Sequence, residues 1–413
     1  MSRRLPALEA RSHGRHVRAA EPFVFHCNHY NHWLQSTLLL SETLPMRSMI
    51  VDAAEEVAFH ALQAGAEELG LVGNREAIAE MAAAIFSEHG FGAVDLSGLT
   101  DRGGSARFSA SHYGQCLVFP AGGKFAQPQS LFDRGFVAAA GAVMHGLPAG
   151  SFSSEHRACF SVGDDHGEVA LERDATPRTI ATSCGEGRSS DASAQPPGPY
   201  ADTSVDEGAI LSALAGLSFS GNEEGLVPRF GVMLTHHFAN FYDRISYEMV
   251  RRMTERGLRE PAELLLLDAG RRCGFHTFGG IMSSAEWDAV VAPQLKSKLD
   301  WVHGMVAVVN ALGWGVWRVA EVDERRIVVR IWDDYESRGH LGTYGQADGP
   351  VCYLAQGGAE SIMNLVFEGD IASRPKLDDA LYDEVIDGDG AFRAVQTRCM
   401  AAGDPYTEIV AER

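Results

Sequence analysis

His26, Cys27, His29 and His32 crowd into the run FHCNHYNH at residues 25–32. Imidazole and thiolate side by side are ligands for zinc, iron or copper. On a helix, residues three apart stay near one face, so His26, His29 and His32 could converge on one ion. His60 and Cys159, from elements further along, complete a pool from which three or four ligands could be drawn. The competing reading is a polar helix face whose imidazoles bond to backbone or water. Spacing alone does not separate the two.

A second set of side chains suits a partly apolar or aromatic ligand: Tyr30, Phe59, His112, Tyr113, His145 and His156. Aromatic rings with a few polar tips are the usual lining of a small-molecule pocket, although the same residues also build cores. Cys159, with His156 and His166 nearby, reads as a ligand or as a small buried residue. Asp164 and Asp404 follow glycines and read as turn formers. No P-loop and no G-x-G-x-x-G is present, so no nucleotide cofactor is indicated. No G-x-S-x-G elbow is present either.

These residues need elements to hold them. The 3.6-residue apolar period predicts helices over residues 46–69, 77–87, 247–256 and 284–312, and further helices over 137–146 and 359–367. Alternation predicts strands over 106–110, 326–332 and 407–410. Gly163-Asp164 and Gly403-Asp404 read as two-residue turns, which would put Cys159 and Cys399 on the first strand of a closing hairpin.

Two stretches repeat without a gap. Residues 159–173 (CFSVGDDHGEVALER) match 399–413 (CMAAGDPYTEIVAER), and residues 52–60 (DAAEEVAFH) match 268–276 (DAGRRCGFH). Matched blocks in one order imply a duplicated unit. Weaker alignments set His29-Tyr30 on His237-Phe238 and His112 on Asp334. The expected organisation is α+β: two homologous domains, each a small antiparallel sheet with flanking helices, related by a pseudo-two-fold. Copy one spans 1–173 and copy two 208–413. A polar, flexible linker at 174–207 holds Cys184. Copy two keeps His236, His237 and His276 but offers Leu234 and Thr235 against His26 and Cys27, so copy one is the candidate active copy.

The chain has 413 residues and a formal net charge of -20. That charge argues against nucleic acid and anionic membrane surfaces as partners. A short basic arm, Arg3, Arg4, Arg11, Arg15 and Arg18, reads as a solvated tail. No apolar run reaches the roughly 20 residues of a membrane span. Seven cysteines without framework spacing fit a reducing cytoplasm.

A helical first half, a glycine-rich middle and a final hairpin with C-x-x-x-G-D resemble the V4R (4-vinyl reductase) domain, in two divergent copies. The resemblance implies a domain that binds a hydrocarbon or other small molecule. Zinc-bearing members carry Glu-x-x-Cys with a second cysteine eight residues on. Only Cys159 and Cys399 match; His156 and Gln396 stand for the glutamate, Gly167 and Thr407 for the second cysteine.

The expected function is therefore small-molecule binding, with a transition-metal site in copy one. The alternatives are a metal-dependent enzyme, such as an oxidoreductase using iron, copper or zinc, and a scaffold or assembly protein. A homodimer is compatible with either packing of the copies.

Overall fold

The computed structural model describes residues 5–10, 15–40, 44–181 and 196–413. The fold mixes helices with three antiparallel sheets. Residues 182–195, the middle of the expected linker with Cys184, and also Arg3, Arg4 and Arg11, lie outside the described residues.

The elements run along the chain in two sets, and the second carries more helices. In the first half, β3 (Glu21–Cys27) leads into α1 (Asn28–Leu39), α2 (Met46–Glu68) and α3 (Arg75–Glu88). Then come β4 (Gly92–Asp95), β5 (Leu99–Thr100), β6 (Gly103–Ser111), α4 (His112–Gln115), α5 (Leu131–Met144), β7 (Phe152–Ala158) and β8 (Gly167–Arg173). Two short strands, β1 (Leu8–Ala10) and β2 (His16–Arg18), precede this set.

The second half opens with α6 (Glu207–Ala215), β9 (Val227–Arg229) and β10 (Val232–Phe238). It continues with α7 (Ala239–Thr254), α8 (Arg259–Met282), α9 (Ala285–Val290) and α10 (Lys298–Ala311). The strands β11 (Val316–Val322) and β12 (Arg326–Trp332) follow, then α11 (Tyr335–Tyr344), α12 (Tyr353–Met363), α13 (Asp379–Asp387), β13 (Arg393–Arg398) and β14 (Thr407–Glu412).

Each half builds its own sheet, β4-β6-β8-β7 in the first and β11-β12-β14-β13 in the second. A third sheet, β1-β2-β3-β10-β9, joins them. Its centre is the antiparallel pair β3/β10, running from Cys27↔Leu234 through Phe25↔His236 to Phe23↔Phe238. The backbone of Phe25 also donates to Leu312 O at 3.0 Å, and Trp314 Nε1 donates to Phe25 O at 3.0 Å. The halves therefore share one continuous core.

Close helix packing has a local cause in each half. A Cβ on Gly135 of α5 would sit 2.3 Å from Val51 O and 2.6 Å from Glu55 N of α2. A Cβ on Gly357 of α12 would sit 2.6 Å from Arg271 N of α8. Only glycine admits such an approach of two helix backbones.

Several expected elements take another form. The helix expected over 284–312 is two helices, because Ala292-Pro293-Gln294 forms a 3-10 turn and Ser297 and Asp300 start α10 with a reciprocal capping box. The Gly-Asp pairs are not two-residue turns. Each follows a 3-10 turn, with Gly163 at φ 108° and Gly403 at φ 104°. The aspartates instead accept from the cysteine backbone: Cys159 N to Asp164 Oδ2 at 2.7 Å, and Cys399 N to Asp404 Oδ2 at 2.9 Å. Cys159 and Cys399 thus sit just past the strands β7 and β13. The alignment shifts too. His237-Phe238 ends β10, where His26-Cys27 ends β3, and the N-caps of α4 and α11 are Ser111 and Asp334.

Candidate functional site

The predicted metal pool does not converge. His26 and Cys27 lie on β3, not on a helix with His29 and His32. His26 is buried and its Nε2 meets Tyr335 Oη at 3.1 Å. Cys27 Sγ lies 2.7 Å from Thr277 Oγ1. The His29 ring stacks on His276 at 5.0 Å between centroids, and His32 Nδ1 faces Ser36 Oγ at 3.5 Å. His60 is bound to the buried Glu21, Nδ1 to Oε1 at 2.5 Å, and that contact raises its pKa. Cys159 lies in the distal hairpin beside Ser130 Oγ (3.2 Å) and Ser161 Oγ (3.1 Å).

The predicted pocket residues also scatter. Tyr30, His112 and Tyr113 belong to a close-packed polar layer beneath the central sheet. There Asn31 Nδ2 reaches His112 Nε2 at 2.9 Å, Tyr242 Oη donates to Asn31 Oδ1 at 2.6 Å, and Tyr113 Oη meets His237 Nε2 at 3.0 Å. Burial holds these imidazoles in the neutral form, with His112 pushed down to about 3. Phe59 and His60 line a cavity of about 500 Å³ beside Pro148 and Ile180. His145 caps the end of α5 with Nε2 buried and unpartnered, and His156 Nε2 faces Ser130 O at 3.2 Å.

The donors that do converge lie in the second half. One ligand atom each from Asp334, Glu336 and Cys352 lies within 4.8 Å of the others, the one such His/Cys/Asp/Glu group among the described residues. Cys352 Sγ donates to Asp334 Oδ2 at 2.8 Å, and Thr407 Oγ1 donates to the same oxygen at 2.9 Å. Ser337 Oγ links Cys352 (3.1 Å) to Cys399 (3.8 Å). Its interaction with the neighbouring Cys352 draws the Cys399 thiol down to about 6, while burial pushes Cys352 up. Glu336 is partly committed, accepting from Leu354 N (3.0 Å) and Ala355 N (2.9 Å) at the start of α12. Two thiols and a carboxylate in a dry site form a donor set that suits zinc.

A buried polar cluster in the first half is poorer in ligands. Ser111 Oγ donates to Asp133 Oδ2 at 2.5 Å, and Ser130 stands by Cys159. Burial lifts the Asp133 carboxyl to about 7, and its Oδ1 has no partner.

A cavity of about 610 Å³ opens on the other face of the central sheet. Its floor is the β3/β10 centre with β2, which presents Phe25, His236, His16 and Arg18. Helix α6 makes one wall with Leu211 and Leu214, and Leu217 and Phe219 continue it. His16 Nδ1 lies 3.0 Å from His236 Nε2, and His89 Nδ1 lies 3.0 Å from His236 O. Desolvation keeps His16, His89 and His236 neutral. The arginines read as a solvated arm are part of the body: Arg15 and Arg18 are each 6% exposed, and Arg15 lies 3.7 Å from Asp333. None of the predicted pocket residues lines this cavity. Its walls come from residues some 190 positions apart, so local pattern could not reveal it.

No protein-family model and no curated protein matches the chain. Among solved structures, the chain is similar to the phenol-responsive sensory domain of the transcription activator PoxR, solved with phenol. The identity is 17% and the TM-score 0.36, over 49% of this chain and 88% of that one. No helix among the described residues is long and apolar enough to cross a membrane.

Proposed function

We propose that this chain is a small-molecule-binding protein built of two divergent V4R-like units, and that its ligand occupies the cavity at their junction. The observation that carries the reading is the cavity itself. At about 610 Å³ it is of ligand size, with apolar walls from α6 and a polar floor of imidazoles. The test is titration with Nile red, a neutral solvatochromic dye. One dye should bind per chain with a blue-shifted emission. Ala311→Trp, which fills the cavity from the end of α10, should abolish that binding. Phe119→Ser, on a side chain that is 73% exposed elsewhere, should not. Dye binding that survives Ala311→Trp would end the proposal.

The metal belongs in the second half on this reading. Asp334, Cys352 and Cys399 would hold zinc, with Glu336 or Thr407 nearby, and zinc would tie α11, α12 and the last hairpin together. None of these donors lines the cavities described above, so the role is structural. Elemental analysis should give one zinc per chain, and Cys352→Ser should lower both the zinc content and the melting temperature. A metal-free protein that takes up no added zinc would remove the site.

A further inference from the structure

Among the described residues, the junction cavity contains a buried cation that forms no ion pair. Four charged side chains among the described residues line it: Arg18, Glu88, Glu207 and Arg318. Glu207 and Arg318 satisfy each other, with Arg318 Nη1 3.1 Å from Glu207 Oε1, and Asn310 Nδ2 donates to the same oxygen at 2.7 Å. Glu88 is engaged at the rim, where Ser220 Oγ donates to its Oε1 at 2.8 Å.

Arg18 has no such partner. Its side chain is 6% exposed, and its Nε and Nη1 are buried without a hydrogen bond. Glu88 and Glu68 act on it only through their fields, and neither forms an ion pair with it. A guanidinium carries five donors and stays charged, so a buried one without an acceptor is an unmet demand. The imidazoles beside it do not answer that demand, because neutral His16 and His89 bring no negative charge. His89 adds a second unspent atom: its Nδ1 faces the His236 carbonyl, which leaves Nε2 buried without a partner.

Resting on the junction-cavity reading, we infer that the ligand is an amphipathic carboxylic acid. Its carboxylate pairs with Arg18 at the floor, and its apolar body lies along Leu211, Leu214, Leu217 and Phe219. The fork of a guanidinium matches a carboxylate in a bidentate pair, and in a dry pocket such a bond is strong. The unmet donor Nη1 at the tip of the Arg18 guanidinium finds its acceptor in that ligand, and the leucine wall explains why a free inorganic anion would not suffice.

The probes are the straight-chain acids from octanoate to dodecanoate and their methyl esters, which keep the apolar body and lose the charge. Affinity is read by displacement of Nile red from the full-length protein. The acids should bind tighter than their esters by about tenfold or more. Arg18→Met keeps the aliphatic stem and should erase that preference without erasing ester binding. Arg18→Lys keeps the charge and should retain part of it, which guards against a folding defect in the first variant. Acids and esters of equal affinity, or a preference that survives Arg18→Met, would overturn the inference. So would failure of every acid to displace the dye. If the dye also ignores Ala311→Trp, the cavity reading itself has failed; if Ala311→Trp still abolishes dye binding, only the carboxylate assignment has.

Discussion

Replacing Asp133 by asparagine should stabilise the protein in alkaline solution and do little in acid. Asp133 is 1% exposed; Ser111 Oγ donates to its Oδ2, and Oδ1 has no partner. Burial holds its carboxyl at about 7, against an ordinary value of 3.8. A folded-state pKa raised above the unfolded one means that the folded chain keeps a proton the unfolded chain has lost. Stability through this group is therefore greatest below the unfolded value and falls as pH rises towards the folded one. At about 1.4 kcal/mol per pH unit, the full penalty above pH 7 is about 4 kcal/mol. Between pH 5 and pH 8 the wild type should lose roughly 3 kcal/mol through this one carboxyl. Asparagine has the same shape, still accepts from Ser111 and cannot ionise. Urea unfolding of both proteins at pH 5, 6, 7 and 8 gives the difference between them, in which the other titrating groups cancel. That difference should grow with pH and level off above 7. A difference independent of pH would refute the reasoning, because Asp133 would then be ionised in the folded state at every pH tested.

Gly135→Ala should lower stability by about 1–3 kcal/mol in urea unfolding, since its new methyl group meets the α2 backbone instead of a side chain that can move. A neutral result would mean that α5 can slide away from α2. Arg244→Met should cost about 3–5 kcal/mol, because it removes the guanidinium that grips the buried Glu56 through Nε and Nη2 at 2.8 Å each. Adding Glu56→Met should recover much of that loss in the same assay; a double variant as weak as the single one would show that packing, not charge, is at stake. His60→Phe should cost more stability at pH 7 than at pH 9, because the contact with Glu21 raises the pKa of His60, and the stability this lends fades as pH rises through the folded value. A pH-independent difference in melting temperature would count against that pairing.

The parts of this fold governed by local pattern were legible in the sequence. The period of α2 is carried by Met49, Ile50, Ala53, Ala54 and Val57, all buried, and both terminal hairpins lie where the repeated C-x-x-x-G-D block sits. The central sheet was not legible. β1 and β2 are three residues long, and β3 is buried at every position, so it shows no alternation to read. The histidine run misled for that reason. His26 and Cys27 belong to this strand, so His26 faces Tyr335 and only Cys27, 3.9 Å from His29 Nδ1, stays within reach of the helix. Arg18 looked like part of a solvated arm because charge near a terminus usually is; it is in fact the last residue of β2, paired with β3 in the central sheet. The second-half donors left a signal that spacing could have supplied. Cys352 is a cysteine without a counterpart in the first half, where Ser130 stands by Cys159, and Ser337 links it to Cys399.

The pairing of β3 with β10 has a consequence for how the two halves can differ. The middle of that pair sets Phe25 against His236, with rings stacked 4.1 Å apart and 9° from parallel. Two separate identical subunits meeting through such a strand would have to place each residue on this axis against its own copy, a phenylalanine on a phenylalanine or an imidazole on an imidazole. A single polypeptide carries no such obligation. It can set a hydrocarbon ring on one side of the axis and a hydrogen-bonding ring on the other. It can then roof one face of the seam with a helix that has no opposite number. Joining the halves covalently is thus what permits a lopsided binding chamber at the one spot where symmetry would otherwise forbid it.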